Sequence, residues 1–203
     1  MKKILLTTLG VSFVATLALG TTLPTHADSV TPKDSVAEFT ITDRDPNNPS
    51  DPDNGTLTLK EVPNFNYGVL EASEIYSGFS NKNAKNDGIV LISDTRLGTS
   101  DWTLSASMDQ FANGGTKLEG AALNLTATGT LGEALSGTIK DDKSPVELAK
   151  GNGSHGKNEF AILGNSAKLT LGANPKVVLS ATDSFETTIN WNLSSTQPVV
   201  PSA

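Results

Sequence analysis

The chain has 203 residues, no cysteine, two histidines, and 22 acidic against 15 basic residues, for a net charge of −7 at pH 7. An acidic chain with scattered lysines is a poor match for nucleic-acid phosphates, so no nucleic-acid partner is expected. Without cysteine there is no disulfide framework and no thiol chemistry, and a single histidine beyond His26 leaves a zinc site short of ligands.

The chain opens with the basic Met1-Lys2-Lys3, and residues 4–20 are apolar with Thr and Ser scattered among them. Thr25-His26-Ala27 then places a small residue before Asp28. This order reads as a secretory signal peptide over residues 1–27. Removing Lys2 and Lys3 leaves 13 basic and 22 acidic residues in 28–203, a net −9. No later stretch is apolar enough to span a bilayer. Neither a lipoprotein cysteine nor a C-terminal sorting signal is read, so export without a covalent anchor is expected.

Residues 28–34 form a polar leader, and 35–42 alternate apolar and polar residues as a half-buried strand does. Residues 43–55 carry Pro46, Pro49 and Pro52 among Asp and Asn, which makes a proline-rich acidic loop. Counted from Asp43, the sixth and twelfth positions are Asn48 and Asn54. An EF-hand calcium loop needs Gly and Glu there, so the pattern fails. Short strands are predicted over 56–60, 66–70, 89–93, 102–108 and 121–128. Others follow over 136–140, 146–149, 167–171, 177–181 and 185–193, with Gly, Asn, Asp and Ser between them. No long segment has helical periodicity. The expected fold is all-β, an antiparallel β-sandwich-like single domain over 28–203 that carries the 43–55 loop.

Catalytic signals are weak. His155 lies in Gly151-Asn152-Gly153-Ser154-His155-Gly156. A nucleophile elbow needs Gly two residues before the serine, where Asn152 stands. The same run spells G-x-G-x-x-G, but a dinucleotide site needs a βαβ unit and an acid about 20 residues on, where Lys176 stands. His155 therefore reads as a turn residue. Glu71, Glu74, Asp141 and Asp142 sit in polar turns and read as solvated surface rather than as a hydrolytic pair. No enzyme activity, catalytic residue, metal or cofactor is expected. What remains is aromatic and amide-rich: Asn64-Phe65-Asn66-Tyr67, and Tyr76 with Phe79. Aromatic faces stack on sugar rings and amides bond hydroxyls, although Phe65 and Phe79, each taken singly, read more readily as core.

The two tryptophans occur in matching tripeptides, Trp102-Thr103-Leu104 and Trp191-Asn192-Leu193. On a strand, residues i and i+2 share a face, so Leu104 joins Trp102, while Ile189 and Leu193 join Trp191. Thr103, Asn190 and Asn192 point the other way. Both tryptophans are thus expected to be mainly buried in one core, with exposure limited to an edge. Asp94 and Arg96, at i and i+2 before the first motif, are placed to pair with each other or to bond backbone groups.

The ordered set of export signal, acidic proline loop, Asp-x-Arg element and two W-x-L motifs resembles the WxL-domain surface proteins of Gram-positive bacteria. The resemblance covers nearly all of the chain after the signal peptide. It implies a secreted, non-catalytic protein of the cell wall and cell surface, attached non-covalently to peptidoglycan through its WxL domain. Trp102, Leu104, Trp191, Leu193, Asp94 and Arg96 are then the motif residues, structural or wall-binding. The implied partners are peptidoglycan, a membrane-anchored WxL-interacting protein and a small sortase-anchored protein. The alternative is a protein-interaction subunit of a surface complex held by that membrane-anchored partner. A Gram-positive wall is polyanionic and charge is screened beyond about 8 Å at physiological salt, so an acidic domain must hold a wall by short-range contacts.

Overall fold

The computed structural model describes Phe39, Ile41, Ser50, residues 55–98 and residues 101–195. The expected signal peptide (1–27), the leader (28–34) and most of the acidic loop lie outside the described residues. So does most of the strand expected over 35–42. Its two described positions, Phe39 and Ile41, are exposed and belong to no strand. All the described residues except Phe39 fall in one compact unit, Ile41–Ala203.

That unit is built almost wholly of antiparallel strands. In chain order they are β1 (Leu57–Glu61), β2 (Phe79–Asn83), β3 (Gly88–Asp94), β4 (Thr103–Met108), β5 (Ala112–Asn113) and β6 (Thr116–Lys117). Then come β7 (Ala122–Thr128), β8 (Ala134–Lys140), β9 (Val146–Lys150), β10 (Gly156–Ile162), β11 (Ala167–Leu171) and β12 (Ile189–Ser194). One short helix, α1 (Ala72–Ser77), precedes β2, and a 3₁₀ turn, Gly164–Ser166, precedes β11. The sheets run β1-β3-β10, β2-β11-β7-β8 and β12-β4-β9, with β5-β6 a small hairpin. They pack as an all-β, sandwich-like domain.

Period-two patterning decides which faces meet. In β4 the residues at 104, 106 and 108 are buried and those between them half-exposed. In β10 Asn158, Phe160 and Ile162 are buried while Lys157, Glu159 and Ala161 are not. Leu104, Leu125, Ile139, Phe160 and Ile162 lose all contact with solvent, each burial contributing about 1.5–3 kcal/mol. Trp102 joins them edge-on to Phe160, with ring centroids 6.5 Å apart and planes at 86°.

Two predicted strands do not form. Residues 66–70 and 177–181 have strand-like composition but enter no sheet. Side chains tie down the first of these. The Asn66 N–H donates to Asn86 Oδ1 at 2.8 Å and the Gly68 N–H to Asn66 Oδ1 at 2.7 Å. In the second, the Asp183 carboxylate accepts the Ser180 N–H at 2.7 Å and curls the chain into a turn. The strand expected over 185–193 starts only at Ile189, with Glu186 making an isolated bridge to Ala112. Conversely, β2 and β10 were not foreseen. Both carry polar and charged residues at positions where a clean alternation would show apolar ones.

Candidate functional site

Pairing of β12 with β4 brings the two W-x-L motifs together. Leu193 lies opposite Leu104, Trp191 opposite Ala106 and Ile189 opposite Met108. Directly opposed residues share a face, so these side chains form one apolar row on the core side. Ala106 leaves room beside it for the indole of Trp191. The tryptophans nevertheless differ. Trp102 is only 3% exposed, on the central strand side, whereas Trp191 is half-buried on β12, an end strand among the described residues.

The Asp-x-Arg element closes the end of this sheet. The Arg96 guanidinium grips Asp94 with two bonds, Nε to Oδ1 at 2.8 Å and Nη2 to Oδ2 at 2.7 Å. Nη2 also donates to the Asp101 carbonyl at 3.3 Å, and Nη1 donates to Ser195 Oγ. Asp94 is 2% exposed. One guanidinium thus joins the end of β3, the residue before Trp102 and the residue after β12. The hydrogen-bonded Asp94 carboxylate raises the Arg96 pKa further above its already high value. The planar fork satisfies a buried carboxylate as a lysine cannot.

A long cleft opens beside the motifs. Its wider part, about 980 Å³, lies between residues 65–76 and 179–186. Its narrower part, about 340 Å³, continues to Pro63, Ile189 and Trp191. Phe65, Tyr67, Phe111 and Phe185 line both parts, so the two adjoin. Tyr76 and Phe79 line the wide end and Trp191 the narrow end. Both of the chain's tyrosines and four of its seven phenylalanines thus face one groove. None of these aromatics is fully buried, in contrast to Phe160 and Trp102. Phe65, Tyr67, Phe79, Phe111, Phe185 and Trp191 also pack against the core, whereas Tyr76 is exposed.

The walls of the groove are held by polar anchors. The buried Asn174 side chain accepts the Glu119 N–H at 2.9 Å and donates to the carbonyls of Glu119 and Gly172 at 3.2 and 2.8 Å. Glu186 and Ala112 exchange backbone bonds of 2.8 and 3.0 Å. On the opposite wall the Lys85 N–H donates to the Asn66 carbonyl at 2.7 Å. The Tyr67 hydroxyl is buried and has no hydrogen-bond partner among the described residues. Burial pushes its phenol pKa up. The charged lining residues are Asp183 and Glu186, and no lysine or arginine lines the groove.

A family model described as WxL domain, surface cell wall-binding, matches residues 7–197. The chain belongs to the WxL family. No match to a curated protein or to a solved structure was found. A WxL domain is a surface cell wall-binding domain, which makes this a cell-surface, cell wall-binding protein. No helix among the described residues is long and apolar enough to cross a membrane.

Within this WxL domain the remaining sequence-marked residues have local tasks. His155 Nε2 lies 3.0 Å from the Gly98 carbonyl, and its exposed ring closes two loops together. Glu74 accepts the Glu71 N–H at 3.0 Å at the start of α1, and Asp141 accepts the Ala121 N–H at 2.9 Å. No group of metal-ligating residues occurs among the described residues. The pairs Phe65/Tyr67 and Tyr76/Phe79, seen separately in the sequence, line one groove. Phe111 and Phe185 were not marked, because single aromatics between turn residues carry no pattern. Their only signal was spacing from a second strand, which is a tertiary property.

Proposed function

We propose that this WxL protein is exported and attaches non-covalently to peptidoglycan through the aromatic cleft, without catalysing a reaction. The cleft is the observation that carries this reading. Partly exposed aromatic residues, amides and hydroxyls beside them, and no basic residue in the lining suit a hydroxyl-rich polymer held by stacking and short hydrogen bonds. Trp102, Leu104 and Leu193 build the scaffold, the Asp94–Arg96 clamp fixes its end, and Trp191 closes the narrow end of the cleft. The localisation that follows is the outer face of a Gram-positive cell. The test is sedimentation of the purified chain 28–203 with isolated, protein-free peptidoglycan. Direct binding is expected to carry it into the pellet, and recovery in the supernatant contradicts it.

A second reading also has a specific observation behind it. Val69 and Val178 are 98% and 85% exposed, and both lie on or beside the cleft walls. Such an apolar rim suits a protein partner, as in a surface complex with a membrane-anchored WxL-interacting protein and a small sortase-anchored protein. In that case the chain is retained on cells only when the membrane-anchored partner is present, and pure peptidoglycan does not sediment it.

A further inference from the structure

We propose that the cleft takes the glycan strand of the wall, a neutral polymer of N-acetylated amino sugars, with the Tyr67 hydroxyl as its hydrogen-bonding recognition group. This inference rests on the wall-binding reading above and narrows it to one component of the wall.

Three observations select this ligand. The first is shape. The two parts of the groove adjoin at Phe65, Tyr67, Phe111 and Phe185, so together they make a site longer than either part, which suits a linear polymer better than a compact molecule. Sugar rings present flat C–H faces to aromatic rings, and none of the aromatic residues that line the groove is fully buried.

The second is the Tyr67 hydroxyl. The residue lines both parts of the groove, and its hydroxyl is buried with no partner among the described residues. A buried hydroxyl without a partner costs stability, and native domains keep few of them. An acetamide or a ring hydroxyl on a bound sugar supplies both a donor and an acceptor within the groove.

The third is charge. Asp183 and Glu186 are the charged lining residues, and Asp183 already accepts bonds from the Ser180 N–H at 2.7 Å and from Asn113 Nδ2 at 2.9 Å. A phosphate-bearing wall polymer meets repulsion and no counter-charge here. The glycan backbone carries no such charge. Stem peptides remain the competing occupant, and the experiment separates them.

The wild-type chain 28–203 and Tyr67→Phe are compared by sedimentation with protein-free peptidoglycan. Two competitors are used: glycan strands stripped of stem peptides by an amidase, with the lactyl carboxylates this frees capped as methyl amides so that the strand stays neutral, and the released stem peptides. Thermal unfolding is measured in parallel. Tyr67→Phe is expected to melt at or above the wild-type temperature and to bind at least tenfold more weakly. Peptide-free glycan strands are expected to displace the wild type. Equal binding by the two proteins, or displacement by stem peptides alone, overturns this inference and leaves wall binding standing. A clear fall in the melting temperature of Tyr67→Phe also overturns it, because the hydroxyl then has an internal partner. Failure of the wild type to sediment overturns the wall reading together with the inference.

Discussion

Truncating Trp102 to Ala removes a ring that is 3% exposed and packed edge-on against Phe160. A loss of about 3–5 kcal/mol is expected, large beside the stability of an ordinary domain. Trp191→Ala removes a half-buried ring from an end strand, and a smaller loss of about 1–3 kcal/mol is expected, read by chemical denaturation. Arg96→Lys keeps the charge but loses the fork that holds Asp94, Asp101 and Ser195. It should cost about 1–3 kcal/mol, because a buried carboxylate is left partly unsatisfied. Unchanged urea midpoints for Arg96→Lys would contradict the clamp. At this scale the sequence was largely legible. Residues two apart on a strand must share a face, so Trp102 with Leu104 and Trp191 with Leu193 followed directly. What separates the two tryptophans was not legible, because it depends on which strand has a neighbour on both sides.

Elements show where local chemistry and tertiary context part. Strands β4, β7 and β11 follow the alternation visible in the sequence. Segments 66–70 and 177–181 have the same composition yet become the cleft walls, because Asn66, Asn86 and Asp183 offer their backbones side-chain partners instead of a ladder. Helix α1 is too short to show periodicity, and its start depends on Glu74 reaching back to the Glu71 N–H. The hydrogen bond from Lys82, then that from Glu71, lowers the Glu74 pKa from its ordinary 4.5. A lowered folded-state pKa means that this contribution is complete above about pH 4.5 and is lost as pH falls through the lowered value. The protection factors of the α1 amides, taken relative to intrinsic exchange at each pH, are therefore expected to fall under acid before those of the sheets, and Glu74→Gln should remove that pH dependence. Gly78 ends α1 at φ 76° and ψ 167°. An added Cβ would lie 2.7 Å from the Leu171 carbonyl oxygen. Gly78→Ala should thus cost about 1–3 kcal/mol from backbone strain alone, seen as a lower melting temperature.

For the whole molecule, the fold class followed from strand spacing and composition. The groove did not, because it is assembled from segments that no local pattern links. Residues 28–203 carry a net −9 and no basic residue lines the groove, so wall attachment through it must rest on contact rather than attraction at a distance. Binding to peptidoglycan is expected to change less than about threefold between low and physiological salt, since contacts without counter-ion release are nearly salt-independent. The most direct measurement compares wild type and Trp191→Ala by sedimentation with protein-free peptidoglycan, at a temperature where both are shown to be folded. The wild type is expected in the pellet and Trp191→Ala largely in the supernatant. Equal recovery of both in the pellet, or of the wild type in the supernatant, would contradict wall binding through the cleft.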